Sequence, residues 1–461
     1  MNFPYFQFPG LGDGMIIGTN AVIHVIISHG VAIGLAAMVV LAEYLGYRCK
    51  RPEWERFARR AIVPTVILVT GAGAITGVGI WFTTNALVPS AIGSMLRVFF
   101  WPWFIEWMVF VAEIVVLLVY YFTWDRWQGE RKRRHVILGL SYSLLGALSA
   151  VLITGILGFM LTSDGWPWGR TFGQAFFNPS FVPQLVWRLA VSLLMGALLA
   201  IGYLAIFNLD RVFRREAISV YGKLLVVPLI VAGLSAAWWF AVVPSAFKAH
   251  AVYSLSMMNL RGGSFSVVQN PGVLWVSHAL MLLVLIAMIA AAWRGRVLAS
   301  RVLVVPALLV TFFFVAEYER LREFIRGPYL MPGYMYANEI LLTEDLLFRE
   351  EGMLPHAYWY HRAAPQPTLR DEGGFLFARN CGTCHTIGGR NDIITRVGGR
   401  TQDGIYVILG RTEEMVPFMP PFSGTDEERA KLAQFLYGLA EGTIQMEAPA
   451  RFPPPALEGE P

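Results

Sequence analysis

The residues with the most specific chemistry lie near the end of the 461-residue chain, in the segment CGTCH at 381–385. Two cysteines separated by two residues can form thioethers to a haem, and an adjacent histidine can then bind the iron. A zinc site needs a second pair of ligands, but the one other cysteine, Cys49, is remote in sequence. We therefore predict one covalent haem c, attached to Cys381 and Cys384, with His385 as an axial iron ligand.

An electron-transfer haem needs a second axial ligand that stays in place. Met419 lies in the segment PFMPPF at 417–422, where the flanking prolines hold the chain extended and restrict its freedom. We predict Met419 as the sixth iron ligand. Met415 is the competing candidate, and the alternative for both methionines is simple packing.

Composition places most of the chain in a lipid bilayer. Apolar residues make up 56% of the sequence and charged residues only 15%, a larger apolar share than soluble globular proteins carry. A helix needs about 20 apolar residues to cross the roughly 30 Å hydrocarbon core of a membrane. Eight segments approach or exceed this length: 14–46, 61–88, 98–124, 136–162, 181–207, 221–243, 272–293 and 302–318.

The predicted fold is all-α, an eight-helix transmembrane bundle followed by a small all-α cytochrome c domain. The bundle is expected over residues 1–318 and a periplasmic linker or cap over 319–364, lying across the outer mouth of the bundle. The cytochrome c domain is expected over 365–445, with its last helix opened by a capping box at Thr425. Residues 446–461 are proline-rich and predict a flexible tail.

Basic residues crowd into alternate loops between the predicted spans. Four loops are rich in lysine and arginine: 48–60, 126–134, 211–223 and 294–301. Such loops are usually cytoplasmic, so both termini and the cytochrome c domain are expected in the periplasm, with the bundle in the inner membrane of a bacterium. The net charge of +5 is therefore a signal of topology and does not indicate nucleic-acid binding.

Ionisable side chains are costly inside a bilayer, so each one is a candidate functional residue. Glu106 and Glu113 are seven residues apart, which places both carboxylates on nearly one helix face and indicates a proton route or a haem pocket. His24 and His29 are about 140° apart around their helix, so they cannot share one iron. For these histidines and for His278 the alternative is a buried imidazole with an ordinary hydrogen bond. The remaining histidines outside the 244–271 loop are interpreted as interfacial or linker residues: His135, His356 and His361.

Over roughly residues 14–300 the sequence resembles the haem-bearing subunit of cytochrome bd oxidases. Several short motifs, in order and spacing, carry the resemblance: His24, Thr76-Gly77, Asn85, Ile105-Glu106 to Glu113, Trp124-Asp125-Arg126 and Asn178-Pro179. The resemblance implies that His24 binds a high-spin haem b and that Glu106 lies at the oxygen-reducing haem. It also implies that Glu113 delivers protons, although the family spaces the two acids one residue wider.

Two departures from the family pattern change the expected electron path. Where the family has the histidine of its low-spin haem, this chain has Trp187 followed by Arg188, and an indole cannot bind iron. We expect that haem to be missing or to be bound by other residues, with His278 as the replacement ligand and His29 as a further candidate. The family's quinol-oxidising loop corresponds to 244–271, which contains no acidic residue to accept quinol protons.

These features predict a membrane-bound oxidoreductase with one covalent haem c and one or more haem b groups. The first hypothesis is a bd-like oxidase that takes electrons from a periplasmic electron-transfer protein through haem c and reduces dioxygen. The second is a non-catalytic relay cytochrome within a larger respiratory complex, and the third a membrane anchor without internal haems. The resemblance implies a second, related membrane subunit, and a quinone is left open as a further partner.

Overall fold

The computed structural model describes residues 10–163, 171–207, 210–256, 271–364 and 366–445. Within these ranges the chain is almost entirely helical, and the strands are limited to one short hairpin. The predicted flexible tail at 446–461 and half of the 244–271 loop lie outside the described residues.

Eight helical stretches in the described residues are long and apolar enough to span a membrane, which confirms the predicted all-α bundle. The helices are numbered in chain order, and the numbering includes one short surface helix, α3, that precedes the third span. Their bounds are α1 Asp13–Cys49, α2 Pro52–Leu87, α3 Pro89–Val98, α4 Phe100–Thr123, α5 Lys132–Phe159, α6 Phe181–Ile206, α7 Arg211–Val242, α8 Pro271–Trp293 and α9 Val297–Ile325.

Three helices differ from their predicted form. α1 contains a π-helical segment, Ser28–Leu35, and α2 contains another, Leu68–Gly73, and the two segments pack against each other. Such wide turns are rare and often mark functional sites. α9 continues to Ile325, so residues 319–325 extend the last helix and are not part of a separate cap.

α6 lies at the centre of the bundle and crosses α1 at two glycines. A Cβ at Gly34 would lie 2.0 Å from the carbonyl oxygen of Ser192, and one at Gly196 would lie 2.1 Å from the carbonyl carbon of Gly34. Small residues allow helix backbones in membranes to approach this closely. The crossing fixes α6 against the π-helical part of α1, where His29 lies.

A short cap follows α9 on one side of the bundle. It contains a two-stranded antiparallel hairpin, β1 Tyr329–Met331 and β2 Met335–Tyr336, and then the helix α10, Leu342–Glu351. The cap rests on α3, because the Ala91 N–H donates to the Glu339 carboxylate at 3.0 Å. The cap is therefore attached to the bundle by a buried hydrogen bond.

The C-terminal domain is a small helical unit, as predicted. Its main helices are α11 Leu369–Asn380, α12 Gln402–Leu409 and α13 Asp426–Ala440. α11 and α13 cross in close contact, since a Cβ at Gly373 would lie 2.3 Å from that of Phe435. The predicted capping box is present: the Thr425 hydroxyl accepts from the Glu428 N–H at 3.3 Å, and the Glu428 carboxylate accepts from the Thr425 N–H at 3.2 Å.

Candidate functional site

The CxxCH segment forms a tight loop at the end of α11. The Cys381 N–H closes the helix on the carbonyl of Phe377 at 2.8 Å, and neither Cys381 nor Cys384 forms a disulfide within the described residues. The His385 Nδ1 lies 3.2 Å from the carbonyl oxygen of Asn391. Because a carbonyl only accepts, Nδ1 carries the proton and Nε2 keeps its lone pair. Burial lowers the pKa of His385, which favours the neutral imidazole that an iron ligand requires.

The Met419 loop is fixed from both sides. The Met419 N–H donates to the carbonyl of Val416 at 2.9 Å, and the Thr412 hydroxyl donates to the carbonyl of Pro420 at 2.6 Å. The Ser423 N–H then donates to the side chain of Asn380 at 2.9 Å, and Asn380 directly precedes the first haem cysteine. These contacts hold the loop beside the attachment site. Met415, in contrast, is 53% exposed.

The CxxCH loop also contacts the start of α1. The Gly14 N–H donates to the carbonyl of Thr383 at 3.0 Å, and the Arg390 N–H donates to the carbonyl of Gly10 at 2.7 Å. His24 lies on the same helix, ten residues after Gly14, which is about 15 Å along the axis at 1.5 Å per residue. The covalent haem site is thus joined directly to the helix that carries His24.

His24 is held by the neighbouring helix α2 in a form that suits iron binding. Its Nδ1 lies 3.0 Å from the Thr76 hydroxyl oxygen, and that hydroxyl donates its own proton to the carbonyl of Ala72 at 2.7 Å. Nδ1 must therefore be the donor, which leaves Nε2 with a free lone pair. A Cβ at Gly77 would lie 3.1 Å from the imidazole, so glycine leaves room for the ring.

His278 on α8 makes two hydrogen bonds. Its Nδ1 donates to the carbonyl of Leu274 at 2.7 Å, and its Nε2 lies 2.8 Å from the carboxylate of Glu317 on α9. Both ring nitrogens of His278 are therefore engaged, and iron binding by Nε2 requires Glu317 to move away from it. Glu317 was not singled out from the sequence, although an acid in a predicted span is a recognisable signal.

His29 and Arg188 meet in the interior of the bundle. The Arg188 Nη1 lies 3.3 Å from the His29 Nε2, and the Arg188 Nη2 pairs with Glu319 at 2.5 Å. An arginine can only donate, so the Nε2 lone pair of His29 is occupied. His29, which was predicted as a candidate haem ligand, is therefore not among the ligands that we propose.

The place where the family pattern puts a low-spin haem ligand is filled by aromatic rings. Trp187 stacks on Tyr318 with ring centroids 3.8 Å apart and planes 20° apart, and Trp239 lies 5.1 Å from Tyr318. All three rings are buried. Aromatic side chains therefore surround residue 187.

Glu106 and Glu113 both face α5. The Ser149 hydroxyl donates to Glu106 at 3.2 Å, and a Cβ at Gly146 would lie 3.5 Å from a carboxylate oxygen of Glu113. Ser149 and Gly146 are neighbours on one face of α5. The two acids thus share one helix face, as their spacing predicted.

A buried ionic cluster lies at the opposite end of the bundle around Glu43, an ionisable residue of a predicted span whose partners were not predicted from the sequence. Glu43 is fully buried and contacts three side chains: His135 at 2.5 Å, Tyr120 at 2.5 Å and Lys132 at 2.8 Å. His135, near the start of α5, is completely buried, and its second nitrogen donates to the carbonyl of Tyr120 at 2.9 Å. The basic run around it concealed this contact.

Several buried polar atoms on the cytochrome side of the bundle have no hydrogen-bond partner among the described residues: both amide atoms of Gln184, the indole N–H of Trp239, the hydroxyl of Tyr318, and Nε and Nη1 of Arg326. An unpaired polar group in a bilayer costs on the order of several kcal/mol, because its hydrogen bonds to water are lost and not replaced. All of these atoms except the amide oxygen of Gln184 are donors, which carboxylate side chains of a cofactor would satisfy. The residues present therefore suit haem groups near this end of the bundle.

Comparison with known proteins agrees with this geometry. The family model "Cytochrome bd terminal oxidase subunit I" matches residues 15–254, and "Cytochrome C oxidase, cbb3-type, subunit III" matches residues 369–436. No curated protein matches the sequence. The structure of bd oxidase from Geobacillus thermodenitrificans superposes with a TM-score of 0.59 at 20% identity, covering 71% of this chain and 90% of that chain, which shows a shared fold. Because the first family match spans just over half of the residues, the chain belongs to the cytochrome bd terminal oxidase subunit I family, with a C-terminal cytochrome c domain.

Proposed function

We propose that this membrane protein passes electrons from a periplasmic electron-transfer protein, through haem c, to haem b groups in the bundle, and that dioxygen is reduced there. Family membership supports membrane electron transfer with haem b, and the second domain supports a covalent haem c. The proposed setting is the bacterial inner membrane, with both termini and the cytochrome c domain in the periplasm, and with a second membrane subunit beside the bundle.

One observation carries the proposal: the haem c attachment loop is hydrogen-bonded to the helix that bears His24. The Thr383 carbonyl accepts from Gly14 at 3.0 Å, and about 15 Å of helix separates that contact from His24. A second domain with an unrelated role would not need its cofactor loop at this helix end. The proposed ligand set is His385 and Met419 for haem c, and His24 and the pair His278–Glu317 for the bundle.

The protein's own groups support the proton chemistry of oxygen reduction. A bound haem would supply the electrons and the site for dioxygen. Glu106, held by Ser149, lies nearer the cytochrome side of α4, and Glu113 lies two turns further in, buried against α5. We propose that Glu113 passes protons toward Glu106, because a buried carboxyl group can hold and release a proton where water is excluded.

We propose that electrons enter the protein through haem c and not by oxidation of a quinol. The 244–271 loop supplies Lys248 but no acidic side chain, and Lys248 donates to the carbonyl of Ala241 at 2.8 Å. Quinol oxidation releases two protons, which need an acceptor. A one-electron donor protein at the cytochrome c surface needs none.

Oxygen uptake by the purified chain, driven by an artificial donor that reduces haem c, tests the function. We expect uptake together with b-type absorption bands and carbon monoxide binding, and we expect Glu106→Gln to slow uptake strongly. Glu414→Gln is the matched control, because Glu414 is exposed on the cytochrome domain.

Three other outcomes separate the competing functions. Electron transfer from haem c to haem b without oxygen uptake would identify a relay cytochrome. Absorption of c type alone would identify a membrane anchor. Unchanged uptake in Glu106→Gln would remove Glu106 from the oxygen site.

A further inference from the structure

Arg326 is a fully buried cation with unused hydrogen-bond donors. It follows the last residue of α9, and its side chain is 1% exposed. Nη2 contacts the carboxylate of Glu323, while no acceptor in the described part of the chain lies within hydrogen-bonding distance of Nε or Nη1. Burial lowers the pKa of Arg326 to about 10, so the guanidinium is still charged at neutral pH. A buried charge with two free donors is costly unless an anion pairs with it.

The ion pairs around Arg326 do not balance its charge. They form a connected chain along α9: Arg188 with Glu319, Glu319 with Arg322, Arg322 with Glu323, and Glu323 with Arg326. Three cations therefore share two carboxylates, and one of these, Glu323, is 43% exposed and partly screened by solvent. One positive charge remains over. Arg326 is one end of this chain of ion pairs and has two free donors, Nε and Nη1, in the described part of the protein.

Arg326 lies at the contact between the bundle and the Met419 loop. A Cβ at the next residue, Gly327, would lie 2.2 Å from the Cβ of Phe418, and the rings of Phe324 and Phe418 are 5.0 Å apart in an edge contact. Phe418 directly precedes the proposed iron ligand. The unbalanced guanidinium is thus placed between the covalent haem site and the interior of the bundle.

We propose that Arg326 binds a propionate carboxylate of a haem at this junction, and so ties the cofactor of one domain to the position of the other. A charged guanidinium donates strong hydrogen bonds to carboxylate oxygens, and Nε and Nη1 are the two nitrogens of Arg326 that are left to donate one. The proposed function requires haem groups near this junction, and each haem carries propionate carboxylates. The inference therefore rests on that function. The carboxylate comes either from haem c or from a haem b in the bundle.

The experiment uses the full-length protein with haem labelled at the propionate carboxylates with carbon-13. Haem content is measured first, as pyridine haemochromes of c and b type. Absence of both haems in the parent protein would defeat the proposed function and leave no haem for Arg326 to bind. With haem present, redox-difference infrared spectra report the labelled carboxylates, and spectroelectrochemistry reports the midpoint potential of each haem.

In Arg326→Gln we expect the labelled carboxylate band to shift and one midpoint potential to fall. Loss of a nearby positive charge disfavours the reduced haem, by about tenfold in the ratio of reduced to oxidised haem at a fixed applied potential. A fall in the c-type midpoint identifies haem c as the source of the carboxylate, and a fall in the b-type midpoint identifies haem b. Arg326→Lys keeps the charge, so its midpoint should stay near that of the parent.

The control is Arg411→Gln, which removes an exposed arginine six residues before the Met419 loop and should change neither the band nor the midpoints. If Arg326→Gln does not assemble, Glu323→Gln is informative, because loss of that carboxylate should raise the same midpoint and shift the band. An unchanged band and unchanged midpoints in Arg326→Gln or, failing that, in Glu323→Gln overturn the proposal.

Discussion

The cytochrome c domain and the membrane bundle position their histidines in different ways. In the domain, His385 is oriented by the backbone carbonyl of Asn391, six residues further along the same loop. In the bundle, His24 is oriented by the Thr76 hydroxyl of another helix, and His278 by Glu317 of another helix. The domain therefore builds its site locally, while the bundle builds its sites only when distant helices have packed.

This difference has a consequence for the effect of mutations. A backbone carbonyl cannot be removed by changing a side chain, so the orientation of His385 depends on the fold of one loop. The orientation of His24 depends on the Thr76 hydroxyl as well as on the backbone at Gly73, and a substitution can delete the hydroxyl. The bundle sites should accordingly be more sensitive to changes in residues that never touch a haem.

The largest expected effect comes from removing the bundle ligand itself. In His24→Ala we expect loss of a haem b with retention of haem c, because His24 is not among the residues that attach or bind haem c. The ratio of b-type to c-type pyridine haemochrome measures this. His356→Ala is the control, since His356 pairs with Glu351 at the surface of the cap. A normal b-to-c ratio in His24→Ala would contradict the proposed ligand.

The second expected effect is confined to the domain. Met419→Ala should open the sixth position of haem c, so that reduced haem c binds carbon monoxide, whereas the parent haem c does not. Met415→Ala is the matched control, because Met415 is 53% exposed and should leave the c-type spectrum unchanged. If carbon monoxide bound haem c in Met415→Ala and not in Met419→Ala, the two methionines would exchange roles.

The same contrast explains what could be predicted from the sequence. The covalent site, its capping box at Thr425 and the eight spans depend on residues that are close in sequence, and the helical bundle and the cytochrome c family are confirmed. The partners of Glu43, of His29 and of His278 come from other helices, at separations that no local pattern encodes. The extension of α9 to Ile325 was missed because its last turns are charged, and their partners are buried in the bundle.

A smaller effect is expected from removing the Thr76 hydroxyl that helps to orient His24. Thr76→Val keeps the shape of the side chain but removes the acceptor for Nδ1. We expect the bundle haem to be held about 10- to 100-fold less tightly, in line with the loss of an outer hydrogen bond to a metal ligand. Transfer of haem b to excess apomyoglobin measures the change. Thr84→Val is the control, because Thr84 donates only to carbonyls of its own helix; equal transfer rates for both variants would refute the role of Thr76.

The smallest expected effect concerns the cap, which belongs to neither site but joins them. Burial raises the pKa of Glu339 to about 7, so the folded protein binds this proton more tightly than the unfolded chain does, and stability should fall as pH rises from about 4.5 to above 7. Glu339→Gln keeps an acceptor for the Ala91 N–H and removes the charge. We expect it to stabilise the cap by about 1–2 kcal/mol at pH 8 and by almost nothing at pH 4. Limited proteolysis across this pH range measures the difference, and Glu350→Gln, at an exposed position of α10, is the control. An equal gain at both pH values would show that the Glu339 carboxyl is not the titrating group.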